Sequence, residues 1–466
     1  MLLPGAEANH VQYRVILFRE RGTEVLLEPN GTRFTFPRTK IPRRAGVAES
    51  LSAAMRRDFR QKLICLFPVE DTTHSQADAS SNYYVAETLC PHEDSASARW
   101  LPVRSIDEAS FAQTSEYALL QSSLARCRSL ARVNQNSFEK LGWFDEVRNW
   151  VSETLRPLGL ELRTQFRQCH ATPSFSLIRF ETSGPAVWFK AVGEPNLREF
   201  RVSLRLAESF PRFVPKVLGS RPEWNAWLMF ESLGTHLDQN SSLNDWVHAV
   251  TTLADLQIAS VGSTLQLVDA GCRDLRSSIL VEQVDGVLDL LSDIMKQQKK
   301  ATPPALSVHE LDSLGGELKR CLSDLNESTI PSTLGHLDLN PGNILVSDRG
   351  CVFLDWAEAC VSHPFVTFHY LLEHLRKLHP TDSSWEQTLT SIYVNKWRYL
   401  AAQDGIHQAL PISRLATVFA YATSVAHVHG TGPAGHAHIA PYLRSLARRM
   451  KREANELRER RSTCLP

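Results

Sequence analysis

Two neighbouring stretches of sequence decide the fold: HLDLNPGNILV at residues 336–346 and VFLDW at residues 352–356. Each contains polar residues bounded by short apolar runs that are typical of β-strands. The Pro-Gly pair in the first stretch predicts a turn, so the side chains of Asp338 and Asn343 can face one cavity. Asp355 ends the second apolar run, where desolvation of its carboxylate would be costly without a nearby cation.

These residue types indicate a magnesium and phosphate site. Amide and carboxylate oxygens are hard ligands suited to Mg²⁺, which keeps phosphates and water in its other positions. The spacing H-x-D-x-x-x-x-N, followed by an Asp at the end of the next strand, is that of a kinase catalytic loop and its metal site. The alternative is a set of turn residues between strands. Three filled polar positions between matched apolar runs favour the catalytic interpretation.

The pattern H-x-D-L-x-P-x-N-I-L followed by D-W resembles that of the aminoglycoside phosphotransferase and choline kinase superfamily, over roughly residues 138–450. The resemblance implies a protein-kinase-like bilobal fold, with a small β-rich N-lobe and a large helical C-lobe, that phosphorylates small molecules with ATP. It implies that Asp338 orients the acceptor hydroxyl or accepts its proton, and that Asn343 and Asp355 hold Mg²⁺. His336 is expected to pack and hydrogen-bond within the loop.

Upstream residues extend the predicted nucleotide site. Lys190 follows an alternating apolar run and is expected to direct its ammonium at the α- and β-phosphates, with Glu199 on the next helix as its partner. No G-x-G-x-x-G loop precedes them, and Ser174 is the candidate phosphate-binding residue instead. Residues 230–234, which include Glu231, resemble the linker whose backbone meets adenine in kinases. A strand that ends in a turn is an equal alternative for this segment.

The N-terminal part has α+β character and resembles a Nudix hydrolase domain. Its sequence predicts a helix at residues 48–63 and several strands, at residues 11–18, 24–28, 83–86 and 99–103. In a Nudix box anchored on Glu49, Arg57 and Asp58 match the pattern. However, Gln61 and Lys62 replace the paired glutamates, and Lys62 would repel the metal. The resemblance therefore implies a hydrolytically inactive domain, kept for binding or for docking on the kinase-like part.

A chain of 466 residues is too long for one hydrophobic core, and an α+β multidomain protein is predicted. The predicted parts are a Nudix-like domain at 1–130, a linker and connecting helix at 131–160, an N-lobe at 161–240, and a helical C-lobe with catalytic loop and acceptor pocket at 241–466.

Composition narrows the partners. Lys plus Arg and Asp plus Glu number 51 each, so no global field favours nucleic acid or an anionic membrane. No signal peptide and no long apolar run are evident, and nine scattered cysteines contain no C-x-x-C pair. We therefore expect a cytoplasmic protein with reduced thiols that acts on a small-molecule hydroxyl acceptor, without a nucleic-acid or membrane partner.

Three functional hypotheses follow. An active small-molecule kinase is favoured because the catalytic and metal positions are filled. A nucleotide-binding regulator without turnover, coupled to an inactive Nudix module, is the alternative. A protein kinase is disfavoured because D-F-G and A-P-E are missing. Antibiotic, amino alcohol, sugar and amino acid acceptors all stay open. A stretch with His427, His429, His436 and His438 is interpreted as a solvated or substrate-facing loop rather than a metal site.

Overall fold

The computed structural model describes residues 10–43, 46–69, 82–90, 95, 97–129, 137–428 and 438–463. Chain contacts divide it into two compact units, which we call unit 1 and unit 2. Unit 1 comprises Met1–Phe200 and Lys216–Glu231, and unit 2 comprises Arg201–Pro215 and Ser232–Pro466. The division falls within one helix, α4 (Arg198–Ser209), and near the end of one strand, β12 (Ala226–Phe230).

Unit 1 begins with a mixed β-sheet and two helices. Its elements are β1 (His10–Arg19), β2 (Glu24–Asn30), β3 (Arg33–Thr35), β4 (Arg38–Pro42), α1 (Val47–Phe59), β5 (Leu63–Val69), β6 (Asn82–Thr88), β7 (Arg99–Pro102) and α2 (Thr114–Ser129). The order is β3-β2-β1-β6-β5, with β4 on β1 and β7 on β2. β1 and β6 run parallel, whereas the other pairs are antiparallel.

The strands predicted in this region are confirmed, but the predicted helix is shorter. The helix α1 ends at Phe59, and Arg60 adopts a left-handed conformation with φ of +58°. Leu63, which the helical pattern included, is instead the first residue of β5 and pairs with Thr88 of β6. Hydrogen bonding to a neighbouring strand therefore overrides the helical periodicity after residue 59.

The second sheet of unit 1 is antiparallel, and its strands fall within the range predicted for the β-rich N-lobe, residues 161–240. Its elements are α3 (Trp143–Leu155), β8 (Leu162–Thr172), β9 (Phe175–Thr182), β10 (Val187–Val192), β11 (Val217–Arg221) and β12, in the order β11-β12-β10-β9-β8. Buried and half-buried residues alternate strictly along β9, as expected for a strand with one core face. The connecting helix predicted within residues 131–160 is α3, which begins at Trp143.

One hydrophobic core connects the two sheets of unit 1. The buried cluster contains Ile16 and Val85 from the first sheet and Phe189 and Leu228 from the second, together with Val151 of α3. Part of the predicted linker, residues 131–136, lies outside the described residues. The described residues on either side of the linker nevertheless share one core.

Glu87 on β6 is a buried carboxyl whose titration should affect stability. It accepts a 2.7 Å hydrogen bond from the Gly142 N–H, and burial raises its pKa to about 7. The pKa of Glu87 is higher in the folded than in the unfolded state. Its contribution to the free energy of unfolding is therefore complete below the unfolded pKa and is lost as the pH rises through about 7. We expect Glu87→Gln, which keeps an acceptor for Gly142, to raise stability by about 2 kcal/mol near pH 8 and to change it little near pH 5.

Calorimetric melting temperatures at several pH values test this expectation. The exposed Glu153 on α3 provides a control, since Glu153→Gln should leave the pH dependence of the wild type unchanged. A Glu87→Gln protein whose melting temperature follows the wild-type pH curve would contradict the assignment.

Unit 2 is mainly helical, in agreement with the helical character predicted for residues 241–466. Its helices are α5 (Leu243–Ser260), α6 (Thr264–Ala270), α7 (Ser277–Lys296), α8 (Val308–Glu327), α9 (Pro364–Leu378), α10 (Ser383–Trp397), α11 (Gln403–Val428) and α12 (Ala440–Thr463). Its short strands are β13 (Thr235–His236), β14 (Arg273–Leu275), β15 (Thr333–His336), β16 (Ile344–Ser347), β17 (Gly350–Phe353) and β18 (Ala359–Ser362). They form two small sheets, β13-β16-β17 and β14-β18-β15.

Helix α11 has the length and composition of a membrane-spanning helix over Gln403–His427, the one such stretch in the described part of the chain. However, 61% of its most apolar window is buried inside the protein, and core helices of globular proteins meet the same criteria. Phe419 and Leu415 of this helix belong to the unit 2 core. The expected lack of a membrane partner stays a prediction.

Candidate active site

His336 is the last residue of β15, and its ring forms hydrogen bonds within both polar stretches, 336–346 and 352–356. Its ring is buried, and Nε2 lies 3.0 Å from the Leu354 carbonyl oxygen while Nδ1 accepts a 3.1 Å hydrogen bond from the Asp338 N–H. Because an N–H donates to Nδ1, the ring proton is on Nε2. Burial lowers the pKa of His336, so the ring is neutral at neutral pH. Its ring also packs against Trp356 with centroids 4.7 Å apart.

The carboxylate of Asp338 is held by donors from two parts of unit 2. Asn340 Nδ2 and the Tyr370 hydroxyl donate to Oδ1, at 3.1 and 3.2 Å. Asn343 Nδ2 lies 3.4 Å from Oδ2 and donates to the Asp338 carbonyl oxygen at 2.8 Å. Asn340 in turn accepts from the Gly342 N–H at 2.9 Å, which closes the turn. The carboxylate is thus restrained in one orientation before any ligand binds.

Asn343 is oriented to offer an oxygen. Its Nδ2 must face the Asp338 carbonyl oxygen, since only the nitrogen can donate, and this turns Oδ1 away. Among the described residues, Asn343 Oδ1 accepts no hydrogen bond. An amide oxygen that accepts no hydrogen bond within the protein is a hard donor of the kind that Mg²⁺ prefers.

Asp355 follows β17 in an unusual backbone conformation. Its φ of +58° and ψ of 71° place a non-glycine residue in the left-handed region, which costs roughly 1–2 kcal/mol. The preceding residue, Leu354, donates its N–H to the Asn343 carbonyl oxygen at 2.9 Å. The structure therefore brings the two predicted metal ligands, Asn343 and Asp355, to adjacent backbone segments of unit 2.

Unit 1 contains the two residues predicted to act on the α- and β-phosphates, Lys190 and its partner Glu199. Lys190 lies within β10, and its ammonium is 2.5 Å from Glu199 Oε1 at the start of α4. Both side chains are buried, and the ammonium also lies 5.2 Å from the Phe175 ring centroid. A buried ion pair of this kind fixes the position of both groups, because loss of one partner leaves an uncompensated charge.

Ser174 and Glu231 are placed less directly for nucleotide binding. Ser174 lies in the turn between β8 and β9, where its carbonyl oxygen accepts from the Gly193 N–H at 2.8 Å. The Glu231 carboxylate accepts from Arg179 at 2.6 and 2.8 Å, and this guanidinium lowers the pKa of Glu231. The Glu231 N–H donates to the Ala186 carbonyl oxygen at 2.9 Å, so this N–H is not available to a nucleotide base.

Four residues near Asp338 were missed by the sequence reasoning. Asn340 lies inside the quoted stretch, and its Asx-turn position was a signal that could have identified it. Tyr370, His374 and Lys377 lie on α9, whose sequence PFVTFHYLLEHLRKL has a mostly apolar pattern. Their spacing of four and three residues places them on one helix face, but no local signal points that face toward residue 338.

The histidine stretch is only partly described. His427 is exposed near the end of α11, and His438 precedes α12, whereas His429 and His436 lie outside the described residues. Within the described ranges, no group of three or more His, Cys, Asp or Glu side chains is arranged to hold a metal ion.

Protein kinases and small-molecule phosphotransferases share a His-x-Asp loop, a following Asn and an Asp at the end of the next strand. Residues 193–402 match the phosphotransferase enzyme family (APH), and this stretch contains Asp338, Asn343 and Asp355. These residues therefore form a phosphotransferase-family domain, and the chain is an enzyme of the small-molecule phosphotransferase type. The match does not extend to residues 1–130, where the Nudix-like domain stays a prediction.

The solved structures that resemble this chain include several phosphotransferases. Macrolide 2'-phosphotransferase MphH from Brachybacterium faecium is 15% identical with a TM-score of 0.43, and the alignment covers 64% of this chain and 97% of that chain. A choline kinase from Cryptosporidium parvum Iowa II is 11% identical with a TM-score of 0.48, covering 68% and 97%. Plasmodium vivax ethanolamine kinase is 12% identical with a TM-score of 0.43, covering 71% and 88%. A search of curated proteins finds no significant match.

Proposed function

We propose that the protein transfers the γ-phosphate of ATP, with Mg²⁺, to a hydroxyl group of a small-molecule acceptor. The observation that carries this proposal is the Asp338 loop, in which three donors restrain a carboxylate while the Asn343 amide oxygen is turned away from it. The family match over residues 193–402 supports phosphoryl transfer as the chemistry.

In this proposal Asp338 accepts a hydrogen bond from the acceptor hydroxyl and aims its oxygen at the γ-phosphorus. A bond forms between that oxygen and phosphorus, the bond from phosphorus to the β,γ-bridging oxygen breaks, and ADP leaves with the electron pair. The hydroxyl proton passes to Asp338 and then to solvent. Since phosphoryl transfer needs little covalent participation by protein, positioning of these groups supplies most of the rate.

Asn343 and Asp355 would hold the cation, and bound Mg²⁺ would neutralise charge on the phosphates. Lys190, held by Glu199, would provide a fixed positive charge for the α- and β-phosphates. Its buried pairing supports this role because a restrained ammonium loses little freedom on binding an anion.

Transfer from radiolabelled ATP tests the proposal. The purified full-length protein would be incubated with ATP, Mg²⁺ and a panel of hydroxylated metabolites that includes sugars, amino alcohols and amino acids. We expect label in one acceptor class and none when Mg²⁺ is chelated. ATP that raises the melting temperature without any transfer or hydrolysis would favour the alternative of a nucleotide-binding regulator.

Tyr370 provides a more specific expectation. Burial, and secondarily the Asp338 charge, raises the pKa of Tyr370, so its hydroxyl stays a donor to Asp338. We expect Tyr370→Phe to lower kcat by about 10-fold with KM for ATP unchanged, because a hydrogen bond to a charged group contributes roughly 1.5 kcal/mol. Steady-state kinetics at varied ATP measure both constants.

Tyr421 supplies the control for this change. Its ring centroid lies 5.7 Å from that of Tyr370, but within the described residues no hydrogen bond links its hydroxyl to the Asp338 carboxylate. Tyr421→Phe should therefore have a much smaller effect on kcat. Equal losses in the two variants would show that ring packing, not the hydrogen bond, is responsible.

For the N-terminal residues we propose a Nudix-like domain without hydrolytic activity. Three positions of the box are engaged in contacts within unit 1. The Lys62 ammonium lies 4.7 Å from the Phe166 ring centroid of β8. Asp58 accepts from Thr39 and pairs with Arg57, and the buried Gln61 accepts from Thr88. These contacts support a role in docking on the kinase-like part. Cleavage of a nucleoside diphosphate derivative by the Asp338→Ala protein in the presence of Mg²⁺ would show instead that this domain is an active hydrolase.

A further inference from the structure

A cavity of about 610 Å³ lies directly beside Asp338 within unit 2. Its polar lining consists of Asp338 and Asn340 from the catalytic loop, His374 and Lys377 of α9, and Asp238 and Gln239. Cavities of a few hundred cubic ångströms hold small metabolites. A molecule in this cavity would therefore contact the carboxylate that the proposed transfer requires.

Helix α9 presents one polar face to this region. Tyr370, His374 and Lys377 are spaced at i, i+4 and i+7, so their side chains lie along the same face. Tyr370 donates to Asp338 and packs its ring against His374, with centroids 5.0 Å apart. The next side chain along the face, Lys377, lines the cavity with His374.

Lys377 is an exposed residue whose ammonium forms no ion pair among the described residues, although the Asp338 and Asp238 carboxylates line the same cavity. Glu373, four residues earlier on the same helix, pairs with Arg449, and Glu386 pairs with both Arg376 and Arg414. Asp238 also lines the cavity, where its carboxylate accepts from the Asn240 N–H at 2.7 Å and forms no ion pair with Lys377. Among the described residues, Lys377 forms neither an ion pair nor a hydrogen bond.

His374 adds a neutral hydrogen-bonding group. Burial, and secondarily the charge of Lys377, lowers the pKa of His374, so its imidazole is uncharged at neutral pH. In the part of the chain that the structure describes, its ring nitrogens have no hydrogen-bond partner. A half-buried imidazole and an unpaired ammonium at one cavity wall are the groups that recognise an anionic oxygen.

We propose that this cavity is the acceptor site and that it binds hydroxylated molecules carrying an anionic group, a carboxylate or a phosphate. Lys377 pairs with the anionic group, His374 donates a hydrogen bond to it, and Asp338 receives the hydroxyl. An acceptor with an ammonium group at the same place would be repelled by Lys377. This inference rests on the proposed function and names the acceptor class for the same site.

Matched acceptor series test the inference. One series is glycerol, glycerate, glycerol 3-phosphate and 3-amino-1,2-propanediol, and the other is glucose, glucuronate, glucose 6-phosphate and 6-amino-6-deoxyglucose. Each series varies only the neutral, carboxylate, phosphate or ammonium group on a hydroxylated skeleton. ATP-dependent transfer and ligand-induced stabilisation against heat are both measured, with wild type, Lys377→Met and Lys377→Arg.

We expect an anionic member to have a kcat/KM at least about 10-fold above that of its neutral counterpart. A factor of ten corresponds to about 1.4 kcal/mol, which a single favourable charge contact can supply. Lys377→Met should remove this preference by lowering kcat/KM for the anionic member toward that of its neutral counterpart, and Lys377→Arg should retain the preference. Lys319→Met on α8, which removes an exposed lysine paired with Asp285, should change nothing. A comparison of the carboxylate and phosphate members of each series identifies which anionic group the cavity binds.

The two measurements separate the possible failures. Transfer that favours neutral or ammonium acceptors would overturn the inference and leave the proposed function standing. Stabilisation by anionic members that requires Lys377, without any transfer, would support the inference and count against the proposed function. If no anionic member stabilises the wild type more than its neutral counterpart does, and none is preferred in transfer, the acceptor class is wrong.

Discussion

Asp338→Ala is expected to lower kcat by about 10²- to 10⁴-fold, the range that a positioned proton acceptor contributes. The carboxylate receives hydrogen bonds from Asn340 and Tyr370 and stands at the wall of the acceptor cavity. Without it, the acceptor hydroxyl has neither a partner to orient it nor a proton acceptor. ATP binding, measured by thermal stabilisation, should persist because Asp338 is not a proposed ligand of the nucleotide or the cation.

Asp338→Asn tests the same role with the shape of the side chain preserved. The amide oxygen can still accept from Asn340 and Tyr370, so the melting temperature should stay near that of the wild type while kcat falls. Asp312→Ala, at an exposed carboxylate on α8, serves as the control and should be fully active. Turnover of Asp338→Asn at the wild-type rate would refute the assignment of the catalytic carboxylate.

The second large effect is expected for Asp355→Asn. Asn tolerates the left-handed backbone conformation that Asp355 adopts, so this change removes charge without adding the strain expected for Ala. Loss of one anionic ligand should reduce kcat by about 10²-fold, comparable to losing one group that stabilises transition-state charge. It should also raise the Mg²⁺ concentration needed for half-maximal activity, because the remaining protein ligand is the neutral amide of Asn343.

A magnesium titration at fixed ATP measures this shift, with Mn²⁺ as a second cation. Asp348→Asn provides a matched control, since Asp348 is an exposed residue in the turn of the β16–β17 hairpin that precedes Asp355. A normal Mg²⁺ requirement in Asp355→Asn would remove Asp355 from the proposed metal site.

Local sequence predicted the parts of the site whose members are close together along the chain. Asp338 and Asn343 are joined through a turn of a few residues, and Lys190 reaches Glu199 across one strand-to-helix connection. Such contacts depend on turn chemistry and on short-range geometry, which residue types determine. The strands on either side of the catalytic loop follow from the same local patterns.

Edge strands were not predicted by the same reasoning. β8 has the sequence LRTQFRQCHAT and β11 has VLGSR, neither of which shows a clear apolar alternation. They are strands because β8 pairs with β9 and β11 pairs with β12, and an edge strand needs few buried side chains of its own. The shared core of unit 1 was missed for a related reason, since sequence patterns show which faces are apolar but not which faces meet.

The sequence by itself determined the catalytic stretch, its turn and the identity of the candidate ligands, because these depend on residue types within a few positions of one another. Only the tertiary structure decided that Tyr370, His374 and Lys377 stand beside Asp338. Those residues lie more than thirty positions from Asp338, and their placement depends on how α9 docks, including the 3.0 Å hydrogen bond from the His336 N–H to Thr367 Oγ1. Packing between distant elements selects which turn of a helix faces a loop, and no local pattern encodes that choice.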